Sequence, residues 1–438
     1  MGRRAEKRSL AVWMNGIYVG EWGLAADHEF HYDSGWLSRK ESRPLSISLP
    51  LTSARFKGLV VESFFDNLLP DAEEIRQRLR SRYSLSSKSA FDLLYEIGRD
   101  CVGAIQLLPP DVKPENLKSI HGTAADEVTL GNLLLSRCGG LLRNSGDRDF
   151  RISLAGSQEK TAFLLQRKQW MVPIGTTPTT HIFKLPLGRI GDGNIDLSSS
   201  VENEWLCSRI LSLFGMDTAQ CSIDSFNDVK VLIVERFDRR FSEDRSWIIR
   251  LPQEDFCQAA GIPSALKYEC DGGPGIVEIM NKLRGSVLAE KDRRTFFKSQ
   301  ILFFLLAATD GHAKNFSISL LPGSRYRLTP LYDVLSLYPV LGSNADEVHP
   351  KRAKMAMAVY EQSGKTYRWD QICRSHWYYT AKAAGFPVES CTELLEEVLQ
   401  ALPGVISTVH RELPDNFPNL VSTRILNGME DAARRLIK

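Results

Sequence analysis

Residues 308–317 read ATDGHAKNFS, and they come straight after FFKSQILFFLLA (296–307), one of the most apolar runs in the chain. A buried helix that gives way to Asp310-Gly311-His312-Ala313-Lys314-Asn315 puts a polar loop on rigid support, and such loops often carry function. Asp310 and Asn315 are separated as a base and a metal ligand are in a phosphoryl-transfer loop. The competing reading is a helix C-cap, with Gly311 in the left-handed conformation and polar residues around it.

The surrounding order of elements weighs on that choice. Upstream, FRISLAGSQEKTAFLLQ (150–166) reads as a strand, a turn around Gly156 and a second strand, and QWMVPI as a third. HIFKLP is a short strand holding Lys184. Ser198-Ser199-Ser200 offer N-caps to the helix VENEWLCSRILSLFG, which stops at Gly215. CSIDSF and VKVLIVERF are strands. Downstream, FSISLLPGSRYRLTPLYD is a hairpin turning at Pro322-Gly323 and ending on Asp333. The first 110 residues form a unit of their own. In it, LAVWMNGIYVGEW turns at Asn15-Gly16, Pro70-Asp71 opens a helix, and Gly98 closes another. Residues 111–149 read as a connector with one or two helices. The expected architecture is α+β and protein-kinase-like. It has an N-terminal α/β subdomain (1–110), the connector (111–149), an ATP-binding lobe (150–250) and a mainly helical catalytic lobe (251–438).

Phosphoryl transfer needs positioned phosphates, neutralised charge and a base beside the incoming hydroxyl. Asp310 is the candidate base. Asn315 and Asp333 are candidate Mg²⁺ ligands, since a few hard oxygens suit a cation whose remaining ligands come from ATP; alone, Asp333 also reads as a helix N-cap. Lys184, a lysine among apolar strand residues, is a candidate for the ATP phosphates or else an ordinary strand-edge lysine. Glu204, twenty residues on, is its expected partner in preference to Glu202, with a solvated helix face as the alternative for both. The turn after Gly156 lacks the second glycine of a Walker loop, so it is either a phosphate cradle made of backbone N–H groups or a plain hairpin turn. Backbone groups of Glu235 and Phe237, at the end of a strand, are placed to read an adenine edge. Arg236, Arg239 and Arg240 beside them read as a solvated turn.

Composition narrows the class. The chain has 438 residues, 43% hydrophobic and 25% charged, with net charge +2. That balance lacks the basic bias of a direct nucleic-acid binder. The longest uncharged apolar stretch is about half a membrane span, and no export signal is read at the N-terminus. None of the eight cysteines forms a C-x-x-C pair or has a histidine at zinc-like spacing. Reduced thiols in a cytoplasm are therefore expected.

Taken together, FFDNLLPD, EIGRDCVGA, FRISLAGSQEKTA, PTTHIFKLP, VERFDRR, IRLPQEDFCQ, KYECDGGPGI, ATDGHAKNFS and RLTPLYDVLS resemble the HipA family, bacterial serine/threonine kinases that act as toxins of type II toxin–antitoxin pairs. The resemblance spans about residues 5 to 420 and is weakest at 110–148 and 340–370. It implies ATP and Mg²⁺ as cofactors, and a protein substrate of the aminoacyl-tRNA synthetase class whose phosphorylation arrests translation. It also implies a helix-turn-helix antitoxin as partner, with operator DNA contacted mainly through that antitoxin, and no membrane. Lys184, Asp310, Asn315 and Asp333 fall on the family's lysine, base and metal positions, and Glu235, Phe237, Gln253 and His312 on nucleotide contacts. Ser153 falls on the family's autophosphorylated serine, whose modification disturbs the phosphate loop. Two departures from ordinary protein kinases stand out. Ala308-Thr309 precede the base where His-Arg is usual, and Val334-Leu335 follow the metal aspartate where Phe-Gly is usual, so no activation-loop phosphosite read by that arginine is expected. Two other readings remain open: a nucleotide-bound corepressor that assembles with an antitoxin on DNA, and a small-molecule phosphotransferase.

Overall fold

A computed structural model describes residues 8–138, 153–156, 158–190 and 195–437. The chain divides into two compact units. One comprises Met1–Leu185, Asp224–Leu266 and Ser317–Tyr326, the other Pro186–Ile223, Lys267–Phe316 and Arg327–Lys438.

The first unit contains two sheets. In the N-terminal one, strands Arg8–Met14 and Ile17–Leu24 pair across Asn15 and Gly16, both in the left-handed region, as a two-residue hairpin turn requires. His28–Tyr32 and Ile105–Leu108 flank that pair. Behind the sheet lie helices Leu59–Asp66 and Ala90–Ile97, the latter capped by Ser89 and ended at Gly98. Trp22 is the centre of this core, stacked on Phe65 with 3.9 Å between ring centroids and tilted against Phe91. The expected Pro70-Asp71 helix starts slightly later, as Glu73–Tyr83 with Ala72 at its N-cap.

The second sheet runs Val229–Glu235, His181–Lys184, Lys160–Gln166, Gln169–Pro173, Gly122–Ala124, with 224–226 of strand Cys221–Phe226 on its outer side. Phe163, Phe183, Phe226, Val231 and Ile233 fill one face, with helix Glu127–Cys138 supplying Leu130 and Leu134. Of the hairpin expected at Gly156, the second strand is Lys160–Gln166, and part of the first falls outside the described residues. Phe150–Ile152 and Ser157 lie outside the described residues, and Ser153–Ala155 join no ladder. Gly156 instead makes a parallel bridge to Pro70, and the Asp71 N–H donates to its carbonyl at 3.1 Å. That stretch is held by the N-terminal segment through Pro70 and Asp71.

The other unit is mainly helical, with helices Ser200–Leu213, Ala289–Leu305, Arg374–Ala383, Val388–Glu412 and Asn419–Ile437. Ser199 occupies the first helix's N-cap without a side-chain cap bond, so the serine run does not cap as expected. Helix Ala289–Leu305 is the unit's axis. Its Phe296, Phe297, Phe303 and Phe304 are buried among Trp377, Phe386 and Phe316. No helix among the described residues is long and apolar enough to cross a membrane. The seven cysteines whose side chains are described are free thiols.

Candidate active site

The loop that begins at Ala307 explains the opening stretch. The axial helix ends with Leu306 as C-cap, and Ala307, not Gly311, takes the left-handed conformation at φ 47°. The Ala308 N–H then closes the turn on the Phe303 carbonyl at 2.8 Å. Gly311 is required for a different reason: a Cβ there would lie 2.5 Å from the Phe303 ring. The polar loop is thus laid directly on an aromatic side chain.

Asp310 is exposed at its tip, and its carbonyl accepts the His312 N–H at 2.8 Å. The His312 N–H is shared with Asn315 Oδ1 at 3.2 Å, closing the loop into a short turn over Ala313–Asn315. Asn315 Nδ2 donates to Asp333 Oδ2 at 3.3 Å, so the two expected metal ligands meet side by side. Tyr332 fastens them further by donating its hydroxyl to the Lys314 carbonyl at 2.8 Å. Asp333 itself has φ 60° and no helix follows it, which removes the N-cap alternative. No group of three or more His, Cys, Asp or Glu side chains among the described residues is placed to hold a metal ion. Two oxygen-bearing side chains are nevertheless a donor set that fits Mg²⁺, which keeps several waters and takes phosphate oxygens from its nucleotide. Glu204 and Glu202, on helix Ser200–Leu213 of the same unit, are both buried, so neither is a solvated face residue.

The nucleotide-side candidates lie in the first unit. Lys184 is 5% exposed and stands opposite Lys160 across adjacent strands. Lys160 Nζ donates to the Ala155 carbonyl at 2.9 Å, covering Gly156, whose φ is 106°. Ser153 is fully buried; its hydroxyl donates to the Leu68 carbonyl at 2.7 Å and its N–H to the Asp100 carbonyl at 3.1 Å. Glu235 is exposed at the end of its strand, opposite His181, and Phe237 is half-buried two residues on. Gln253 Oε1 is buried and accepts no hydrogen bond among the described residues, the condition of a group that awaits a donor. An adenine amino group would be such a donor.

Arg236 and Arg239 overturn the expected solvated turn. Both are buried, and with Arg250 they converge on Asp100 and Asp238. Arg239 Nη2 reaches Asp100 Oδ1 at 2.9 Å, Arg236 Nη2 reaches Asp238 Oδ2 at 2.8 Å, and the Thr179 hydroxyl donates to Asp100 at 2.7 Å. Burial pushes the Asp100 carboxyl up, but Arg239, Arg250 and Arg236 outweigh it and hold the group below the ordinary carboxylate range. Gly103, at φ 74°, lets the backbone join in: its N–H donates to Asp238 and its carbonyl accepts from Arg239. Sequence reasoning missed Asp100 altogether. The available signal was that GRDCVGA and VERFDRR each set arginine and aspartate within two residues of one another.

Comparison with known proteins agrees with this arrangement. The HipA N-terminal domain family matches residues 10–108 and the HipA-like C-terminal domain family residues 152–406. The chain belongs to the HipA family of serine/threonine kinase toxins. It is 31% identical to Y4mE of Sinorhizobium fredii, whose name assigns it provisionally to the kinases, over 98% of this chain and 97% of that one. The serine/threonine-protein kinase toxin HipA of Shewanella oneidensis is 28% identical over 76% of each chain. A Shewanella oneidensis HipA solved with HipB and operator DNA superimposes with a TM-score of 0.80 at 22% identity, covering 98% of this chain and 97% of that one. This HipA homologue therefore has the α+β fold of the toxin kinases.

Proposed function

We propose that this HipA homologue is an ATP- and Mg²⁺-dependent serine/threonine protein kinase that arrests growth as the toxin of a type II pair. The observation that carries the reading is the exposed Asp310 carboxylate on a loop whose Asn315 is hydrogen-bonded to Asp333. Asp310 accepts the seryl or threonyl proton, and Asn315 and Asp333 hold the cation. Lys184, Glu235, Phe237 and Gln253 of the first unit take the nucleotide, and Glu204 and His312 of the other unit are carried as nucleotide candidates by the family resemblance. The division into 1–110, 111–149, 150–250 and 251–438 remains our functional parsing of the chain. The substrate is a translation component of the aminoacyl-tRNA synthetase class, and the site of action is the cytoplasm. A helix-turn-helix antitoxin restrains the enzyme and carries it to operator DNA, by analogy with the Shewanella HipA solved with HipB and DNA.

Ser153 fits a self-inactivating role. Its hydroxyl is buried against the Leu68 carbonyl, so a phosphoryl group has no room there and the modified segment must leave its place. The added charge of about −1.5 to −2 would also repel ATP phosphates. Ser153→Asp should then weaken ATP binding.

Brief expression of wild type and Asp310→Asn followed by phosphoproteomics tests the whole reading. Wild type should mark a small set of seryl or threonyl sites. Asp310→Asn should mark them about 10²–10⁴-fold more slowly, with an unchanged melting curve. Equal labelling by the two forms would overturn it.

A further inference from the structure

The segment KYECDGGPGI (267–276) has no role in the reading above, yet it reaches the candidate base. Tyr268 donates its hydroxyl to Asp310 Oδ1 at 2.5 Å. Oδ2 of the same carboxylate has no hydrogen-bond or ion-pair partner among the described residues, and Asp310 is exposed. One oxygen is held and the other is presented.

Tyr268 is itself well fixed. Its carbonyl accepts N–H groups from Asp271 at 3.1 Å and Gly273 at 2.9 Å. Before it, the Lys267 carbonyl accepts the Ala313 N–H from the loop of Asp310. After it, the buried Glu269 carboxylate accepts the Ala358 N–H at 2.7 Å and pairs with Lys365 at 2.5 Å. The phenol ring stands edge-on to His312, with centroids 5.1 Å apart. Ring, backbone and neighbours therefore fix where the hydroxyl points. A carboxylate on an exposed loop otherwise turns freely about χ2, whose preference is broad. A charge-assisted hydrogen bond removes that freedom.

We infer that Tyr268 is a positioning residue for phosphoryl transfer, orienting Asp310 so that Oδ2 takes the acceptor proton. In that step the seryl O–H bond breaks and its proton moves to Oδ2. The seryl oxygen bonds to the γ-phosphorus of ATP, and the bridging oxygen leaves with its electron pair on ADP. The inference rests on the kinase reading and adds the group that aims its base.

The test is Tyr268→Phe, which keeps the ring and removes the hydroxyl. Initial rates of autophosphorylation are followed by intact-mass spectrometry across a series of Mg·ATP concentrations, with wild type and Asp310→Asn alongside. Loss of a hydrogen bond to a charged group predicts a kcat lower by about 10- to 100-fold. The KM for ATP should stay within about twofold and the thermal midpoint within about 2 °C, since ring packing is kept. A rate equal to wild type would overturn the inference, and a raised rate would show that the hydroxyl blocks the base. A rate fall matched by a raised KM and a lowered midpoint would overturn it in favour of a purely structural role. A wild type that labels neither itself nor seryl or threonyl sites in the phosphoproteomic comparison would instead bring down the kinase reading, and this inference with it.

Discussion

The two units seat their candidate site segments by opposite means. In one, the Ser153 N–H hangs from the Asp100 carbonyl, and the Asp100 side chain lies in a cage of three buried arginines. In the other, the loop of Asp310 and Asn315 rests on aromatic carbon, with Gly311 against Phe303 and Phe303 against Phe316. Ions hold by direction, because each guanidinium has donors in a fixed plane and the carboxylates receive several at once. Rings hold by exclusion of volume, because a close-packed interior admits one arrangement. Ionic seats suit a segment that draws its partners from distant parts of the chain. A packed seat suits a loop that leaves a helix directly beneath it.

The contrast can be broken most sharply at Asp100. Asp100→Ala leaves Arg236, Arg239 and Arg250 with Asp238 as the remaining acid of the cage, and removing one partner of a buried ion cluster costs about 3–5 kcal/mol. Urea unfolding should show that loss. A change below about 1 kcal/mol would place the cage with surface ion pairs and end the comparison. On the packed side, Gly311→Ala drives a methyl group into Phe303 and should cost about 1–3 kcal/mol, together with a lower phosphoryl-transfer rate. Adding Phe303→Leu should recover part of both; no recovery would mean that something other than volume fixes the loop.

Acid titration sharpens the ionic side with the smallest effects. Burial lowers the pKa of His181 from its ordinary 6.5 to about 4. Between those values the unfolded chain binds the proton that the folded one refuses, so stability falls as pH drops from 6.5 towards 4, by about 1–2 kcal/mol after solvent screening. His181→Gln should flatten that part of the curve. Asp100, held below its ordinary value, contributes stability at higher pH, and that contribution is lost only as pH falls below about 4. Two separate acid limbs in wild type, each removed by its own substitution, are the expected pattern.

Much of this was legible beforehand because it depends on local chemistry. Asn15-Gly16 makes its turn, Pro322-Gly323 makes its own, and the apolar run before Ala308 is the buried helix that its composition implies. The meeting of Asn315 and Asp333 was also readable, since a single hairpin joins them. What was not readable lay across distance in sequence. Arg236 looks like any basic turn residue until Asp100, 136 positions away, is brought to it. Tyr268 is 42 positions from Asp310, in a segment with no periodicity to mark it. The competing C-cap reading put Gly311 in the left-handed region, because a positive φ is a local argument and the ring of Phe303 is a tertiary one.

The cage around Asp100 also bears on how such a chain can be cut. Family matches break it at residues 108 and 152, which invites expression of the later piece alone. That piece would carry all three arginines but not Asp100, nor the Leu68 carbonyl that Ser153 needs. A boundary visible as inheritance is thus not a boundary of folding. A truncated clone starting near residue 150 should be recovered as an insoluble product, and co-expression of residues 1–138 is the natural way to rescue it.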